Sequence, residues 1–212
     1  MTPIPTPAPT LDLGTVQKLR KVAAGVALLG LVALSIVSQS VGGVDSRWHE
    51  TVEAVGWGAM VLAIVGRAWC TLYIGGRKKA EIVDRGPYSI SRNPLYVFSF
   101  IGAFGIGAQS GSLTIAAAFV AAAVLVFHFT VLREEAFLLR EFGETYARYQ
   151  ARTPRFWPRF SLWRDADELT IRPALFLLTI RDGLVLLLAI PLFELIDAGQ
   201  AAHWLRVVAH LP

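Results

Sequence analysis

Residues 113–149 read LTIAAAFVAAAVLVFHFTVLREEAFLLREFGETYARY, and this stretch is the clearest indication of the fold in the sequence. Its first part, residues 113–132, carries no charged side chain and has about the 20 residues that a helix needs to cross a bilayer. Five residues of the second part recur at spacings that place them on one face of a helix. They are Glu135, Leu138, Phe142, Tyr146 and Tyr149. The stretch therefore predicts a spanning helix followed by an amphipathic helix, and Gly143 is a residue type that often ends a helix.

Further apolar runs flank this stretch and indicate a membrane protein. We expect them to span the bilayer at residues 21–41, 52–74, 95–109 and 173–196. Across the chain 54% of the residues are hydrophobic and 17% are charged, whereas soluble domains are about 25% charged. The composition therefore excludes an ordinary soluble domain. It predicts an all-helical bundle of about five transmembrane helices, with the amphipathic helix 133–150 in the cytoplasm after the fourth.

The basic residues fall between the apolar runs, where membrane orientation places them. We therefore attribute the net charge of +4 to topology and expect no nucleic-acid partner. Placing residues 75–94 and 133–170 in the cytoplasm puts the N-terminus inside. The pattern thus predicts a multi-pass protein of the cytoplasmic membrane, if the source is prokaryotic.

The chain divides into three parts. Residues 1–17 are rich in proline and threonine and are predicted to be a flexible tail. Residues 18–165 hold the first four spans and the amphipathic helix, and residues 166–212 form a C-terminal extension with the last span. A basic region before the first apolar run also allows a signal peptide, although the later spans favour a retained first helix.

A polar segment, residues 85–96 (RGPYSISRNPLY), leads into the third span. Its two prolines fix the backbone and Gly86 permits a tight approach, so the segment is expected to hold polar side chains rigidly at the membrane surface. These side chains are Tyr88, Arg92, Asn93 and Tyr96. The alternative is a structured loop whose arginine binds only lipid phosphate.

Charged residues also occur at or within the membrane. Glu134 and Glu135 are adjacent carboxylates where the chain leaves the bilayer. Negative charge beside anionic lipid is disfavoured unless a cation compensates it, which argues against a helix that merely rests on head groups. Arg67 lies within the second apolar run, where its side chain could reach the interface, pair with a glutamate or contact the carboxylate of a substrate.

Two segments carry a resemblance to a known family. GPYSISRNPLY (86–96) and REEAFLLREFGETYARYQARTPRFWP (133–158) resemble the isoprenylcysteine carboxyl methyltransferase family and its relatives among the phospholipid N-methyltransferases. The similarity covers roughly residues 50–160. Members of that family are integral membrane enzymes that bind S-adenosylmethionine at the cytoplasmic face. The resemblance implies the same cofactor here and a lipophilic acceptor, either a small molecule, a lipid or a prenylated group.

The resemblance also implies roles for individual residues. Three family elements supply the cofactor-binding residues: arginine-histidine/asparagine-proline-x-tyrosine with its upstream tyrosine, the paired glutamates, and FG-x-x-Y-x-x-Y. Those residues are Tyr88, Arg92, Asn93, Pro94, Tyr96, Glu134, Glu135, Tyr146 and Tyr149. Many members carry histidine where this chain has Asn93, so a role that needs a titrating imidazole does not carry over. Arg92 and Glu135 are the expected catalytic residues, and Arg67 is the expected substrate-binding residue. A glycine-x-glycine of the phospholipid enzymes would fall on Gly105 and Gly107, for which helix packing is the alternative.

We therefore expect S-adenosylmethionine-dependent methyl transfer, with a carboxylate as the favoured acceptor group because it is already a nucleophile. The chemistry needs no metal, and the histidines show no spacing typical of a metal site. The single cysteine, Cys70, excludes an internal disulfide. Two alternatives stay open: an NADPH-dependent sterol-type reductase, which resembles the family in its C-terminal segment, and a non-catalytic membrane scaffold or transporter subunit.

Overall fold

A computed structural model of the protein describes residues 13–77 and 80–212. Most of them lie in helices: α1 (Leu13–Val37), α2 (Arg47–Ile74), α3 (Pro87–Ile90), α4 (Pro94–Ala108), α5 (Leu113–Arg152), α6 (Pro173–Leu184) and α7 (Ala189–Ala201). Short 3-10 turns occupy Phe160–Leu162 and Val185–Leu188. Two strands, β1 (Ser38–Ser40) and β2 (Ala209–Leu211), pair in parallel. Residues 1–12 of the predicted tail lie outside the described residues.

Three helical segments have the length and composition to span a membrane. α2, α5 and the continuous unit from Pro173 to Ala201 are long and apolar enough to cross a bilayer. The apolar part of α1, Val22–Val37, and α4 are shorter. The expectation of a helical membrane protein is therefore confirmed, whereas the count of about five spans and the orientation of the N-terminus stay predictions.

The helices begin where local chemistry supports a start. Ser46 precedes α2 and accepts a hydrogen bond from the backbone N–H of His49 at 3.2 Å. Ser112 does the same for α5, with the N–H of Ile115 at 3.3 Å. α4 and α6 instead begin with proline, which is suited to the first helical position because no N–H is needed there.

α4 is the central helix of the group formed by α2, α4 and α5. It packs against both α2 and α5, whereas α2 and α5 barely touch in the part of the chain that the structure describes. A glycine on each helix allows the close approach of α2 to α4, because a Cβ on Gly56 or Gly105 would collide with the backbone oxygen of the other. Gly107 approaches Ala116 of α5 in the same way. Gly105 and Gly107 are therefore packing positions, and they lie at the opposite end of α4 from Pro94.

The predicted fourth span, 113–132, and the amphipathic helix, 133–150, form one continuous helix, and the level at which it leaves the membrane stays a prediction. α5 stays helical through residues 132 and 133, because nothing in that charged stretch breaks the backbone pattern. The break falls at Gly143, with φ 50° and ψ −125°, as the sequence indicated. This conformation is open to glycine and strained for other residues, so Gly143 redirects the last turns of α5.

The C-terminal extension is part of the bundle. α6 packs on α2, and the Thr179 and Thr71 hydroxyls lie 3.1 Å apart. Phe193 of α7 is 1% exposed and joins a core with Met60 and Phe119. β2 then pairs with β1, which follows α1 directly. The extension therefore closes the end of the bundle that is remote from Pro94.

Candidate functional site

A cavity of about 390 Å³ lies where α2 ends and α4 begins. Its walls come from α2, α4, α5 and residues 81–83 of the following loop. The lining includes every residue predicted for the site except Pro94: Arg67, Tyr88, Arg92, Asn93, Tyr96, Glu134, Glu135, Tyr146 and Tyr149. Two stretches that are distant in the sequence therefore meet at one small space, as the sequence analysis required.

Pro94 does not line the cavity, and its expected contact with a cofactor stays a prediction. It is buried at the first position of α4, where its ring fixes the backbone that starts the helix. Its contribution is the direction of α4, which carries Tyr96 and Ser99 into the cavity wall.

The polar segment 85–96 is held by the chain that follows α5. The backbone N–H of Arg92 donates to the carbonyl of Pro154 at 2.9 Å, and that of Arg159 donates to Ile90 at 3.0 Å. The Tyr149 hydroxyl donates to the carbonyl of Tyr88 at 2.7 Å. These bonds fix the segment rigidly, which is the physical condition that the proline-rich sequence predicted.

Glu135 is the most heavily bonded carboxylate at the cavity. Its side chain is 7% exposed, and Arg155 binds it with two parallel contacts, Nη2 to Oε2 at 2.8 Å and Nε to Oε1 at 3.2 Å. Arg92 Nη2 lies 3.3 Å from Oε1, and Asn93 Nδ2 lies 3.4 Å from the same oxygen. Two guanidinium groups therefore compensate the burial of this charge.

Arg155 is a residue that the sequence analysis missed. It follows α5 in an irregular segment, and nothing local in the sequence distinguishes it from the neighbouring arginines. The available signal was Glu135 itself, because a carboxylate at that position of the amphipathic face needs more than one cation once it is buried.

Two residues that line the cavity, Arg92 and Tyr88, each have a buried donor without a partner in the described part of the chain. Arg92 donates through Nη1 to the carbonyl of Gln150 at 3.0 Å, yet its Nε has no hydrogen-bond partner within the described part of the chain. The hydroxyl of Tyr88 has none there either. Burial raises the pKa of the Tyr88 phenol well above its usual value, so this hydroxyl keeps its proton. Both groups are suited to donate to a bound ligand.

Aromatic side chains and a second carboxylate complete the polar end of the cavity. The Tyr96 hydroxyl donates to Glu134 Oε2 at 3.2 Å. Tyr146 is 2% exposed, and its ring centroid lies 5.9 Å from that of Tyr149. Aromatic faces beside carboxylates can bind a cation by cation–π and ionic contacts together.

Arg67 lies at the membrane-facing end of the cavity. It is seven residues from the end of α2, a depth of about 10 Å at 1.5 Å per residue. Its Nη1 donates to the Ser99 hydroxyl at 2.5 Å, and no carboxylate in residues 22–77 or 80–212 lies within ion-pair distance. Among the three sequence-based alternatives, pairing with a glutamate is therefore excluded for these residues. The apolar residues Leu95 and Phe127 also line the cavity.

The described residues contain no group of three or more histidine, cysteine, aspartate or glutamate side chains placed to hold a metal ion.

The kink at Gly143 gives a first prediction. Gly143→Ala should lower the free energy of unfolding by about 1–2 kcal/mol, because a Cβ is strained at this positive φ. It should also weaken ligand binding, since Tyr146 and Tyr149 follow the kink. Thermal unfolding in detergent measures the first effect. The matched control is Gly58→Ala, at a helical position with open space around it, which should not destabilise the protein.

Comparisons with known proteins were consistent with this site. The model of the phospholipid methyltransferase family matches residues 55–145, which include Arg67, Arg92 and Glu135. The chain is 36% identical over 172 residues to the nickel-cobalt-cadmium resistance protein NccN of Alcaligenes xylosoxydans xylosoxydans, covering 79% of this chain and 80% of that protein. It is 38% identical over 171 residues to the cobalt-zinc-cadmium resistance protein CzcN of Cupriavidus metallidurans, covering 78% and 79%. No solved structure matches the chain.

Proposed function

Because this chain belongs to the phospholipid methyltransferase family, we propose that it transfers a methyl group from S-adenosylmethionine to a lipophilic acceptor at one face of the membrane. The observation that carries the proposal is one cavity lined by the Arg92–Glu135 ion pair and by Tyr88, with Arg92 Nε and Tyr88 Oη left without a partner among the described residues. A cavity of this composition is suited to a ligand that carries both an anion and a cation.

The donor set fits the proposed cofactor. S-adenosylmethionine carries a carboxylate, an ammonium group and ribose hydroxyls, and when bound it supplies an electrophilic methyl group on a sulfonium. Arg92 and Tyr88 donate to the carboxylate or to a hydroxyl. Glu134 and Glu135 bind cationic or hydroxyl groups, and Tyr146 offers an aromatic face.

The other end of the cavity is suited to the acceptor. Arg67 places a cation at membrane depth, where a charged side chain is costly without a function. We propose that Arg67 binds the carboxylate of the acceptor and that Ser99 orients the guanidinium. A carboxylate is already a nucleophile, so the residues need only align the reacting groups and exclude water.

Size and packing favour entry of the acceptor from the lipid. A cavity of about 390 Å³ is near the lower end of the range of about 300–1,000 Å³ for small-molecule sites. One bound cofactor leaves little room there for a long apolar chain. We therefore propose that the apolar chain of the acceptor lies outside the cavity, among the lipids.

The distribution of arginines favours one orientation of the protein in the membrane. The loops on the cavity side of the bundle carry most of the arginines, which favours the cytoplasm for that side and for the N-terminus. A water-soluble cofactor would then reach Arg92 and Glu135 from the cytoplasm while the acceptor arrives from the bilayer.

Calorimetry on the full chain in detergent tests the proposed function. S-adenosylhomocysteine should bind, and NADPH should not. Binding of NADPH alone would favour a sterol-type reductase, and binding of neither ligand to the folded protein would favour a scaffold or transporter subunit. A labelled-methyl assay on lipid and protein extracts then identifies the acceptor and distinguishes oxygen from nitrogen or sulfur methylation.

Arg67 gives a second prediction. Arg67→Gln should raise the KM for a farnesylated cysteine with a free carboxylate by about 10-fold or more, because the half-buried charge that is proposed to bind the acceptor is removed. The affinity for S-adenosylhomocysteine should stay unchanged, since Arg67 lies at the other end of the cavity. Ser99→Ala is the matched control and should give a smaller increase, because it removes only the partner of Arg67. An unchanged KM in both variants would contradict this role.

The names of the two relatives suggest a physiological setting. We propose that the methylated product contributes to resistance against divalent transition metals, as the names of those proteins state for them. Cells that lack the gene should grow less well in cobalt or cadmium, and a copy with the Arg92→Lys substitution should fail to restore growth. Restoration by that copy would separate resistance from methyl transfer.

A further inference from the structure

The unit from α6 to α7 is the least covered of the three candidate spans. Only 11% of its most apolar part is buried within the protein, compared with 39% for α2 and 22% for α5. Its exposed residues include a stripe at helical spacing, Leu178, Arg181, Asp182 and Val185. A charged pair thus lies in the middle of a face that is otherwise apolar.

The level of this pair in the bundle is fixed by the contacts of α6 with α2. Thr179 contacts Thr71, and Gly183 packs on Ile64. Arg181 therefore lies at the level of Arg67, about 12 Å from the start of α6 at 1.5 Å per residue. This depth is within the hydrocarbon region if Pro173 marks the membrane surface.

The two side chains contact only each other within the described residues. Arg181 Nη2 lies 3.1 Å from Asp182 Oδ1, and the side chains are 75% and 58% exposed. Charges that face lipid at this depth are unfavourable, and the short side chain of aspartate cannot extend to the head groups as that of arginine can. The face is therefore incomplete in a single chain.

We propose that a second copy of this chain covers the stripe in a two-fold symmetric dimer. A two-fold axis beside adjacent residues of opposite charge places Arg181 of each copy against the partner subunit's Asp182. The stripe is thus complementary to itself in charge. Leu178 and Val185 lie on either side of the pair along the helix and supply apolar contacts to the same residues of the second copy.

Charge reversal tests this interface. Arg181→Asp and Asp182→Arg each place like charges across the two-fold axis, and the double variant R181D/D182R restores opposite ones. Sedimentation of the full chain in detergent should show a wild-type dimer. Each single variant should raise the dissociation constant by about 10-fold or more, and the double variant should return it toward the wild-type value. Arg140→Asp, an exposed reversal elsewhere, is the matched control.

The outcomes are distinct from those that bear on methyl transfer, because the stripe does not line the cavity. Thermal unfolding in detergent reports whether each variant is folded. If a single variant does not fold, Leu178→Cys in the wild-type background replaces it and should form a disulfide between copies in membranes. A wild-type monomer that gives no crosslink would overturn the proposal, as would weakening that the double variant does not reverse. Association with a different membrane protein alone would also overturn it.

Discussion

Glu135→Gln is expected to reduce the affinity for S-adenosylhomocysteine and the rate of methyl transfer by about 100-fold. Glutamine keeps the shape of the side chain but removes the charge that Arg92 and Arg155 share. Arg155 is 37% exposed and can turn toward water, whereas the side chain of Arg92 is 8% exposed and cannot. Without the Glu135 charge, nothing holds the Arg92 guanidinium in its present orientation at the cavity. We therefore expect Arg92 to bind the ligand less well.

The same substitution should lower the free energy of unfolding by about 1–3 kcal/mol, because buried donors lose their acceptor. Calorimetry and thermal unfolding on one preparation separate the two effects. Glu144→Gln is the control, since Glu144 is exposed on the same helix and should change neither quantity. Unchanged ligand affinity in Glu135→Gln would remove Glu135 from the binding site.

Arg92→Lys is expected to reduce kcat by about 100-fold or more, which corresponds to about 2.7 kcal/mol of transition-state stabilisation. The guanidinium of Arg92 contacts the carbonyl of Gln150 and the carboxylate of Glu135 while Nε stays available. A lysine ammonium keeps the charge but cannot hold these directions together, because its donors lie on a single atom.

Initial rates at saturating and limiting S-adenosylmethionine measure this effect. Arg148→Lys is the control, because Arg148 is exposed beyond the kink of the same helix. Arg155→Lys should have a smaller effect than Arg92→Lys, since Arg155 acts through Glu135. Full activity in Arg92→Lys would contradict a catalytic role for the guanidinium and leave Arg92 only its contacts with Glu135 and Gln150.

The parts of the fold that depend on local patterns could be predicted. The uncharged run 113–132 required a buried or lipid-facing helix, and the spacing of Glu135, Tyr146 and Tyr149 required a shared face. Gly143 was recognisable as a break because few other residues tolerate its backbone conformation. The convergence of Arg92 with Glu135 also followed, since both lie at the same end of neighbouring helices.

The parts that depend on distant contacts could not be predicted. Arg155 meets Glu135 only because the chain after α5 turns back beneath the cavity, and the sequence does not state that turn. The pairing of β1 with β2 joins segments at opposite ends of the chain, where neither has a recognisable strand pattern. The helix also continues from residue 132 to residue 133, because a change in polarity does not by itself end a helix.

The position of Arg67, which Ser99 holds by a hydrogen bond, has a consequence for product release in the proposed reaction. If the acceptor is acidic, as proposed, the half-buried Arg67 attracts it, whereas its methyl ester carries no charge for Arg67 to bind. Esterification would remove the attraction between the acceptor and Arg67, so the neutral product would dissociate into the bilayer. The proposed reaction should accordingly show little product inhibition by the ester. Partition of the ester into the bilayer would lower its concentration at the cavity.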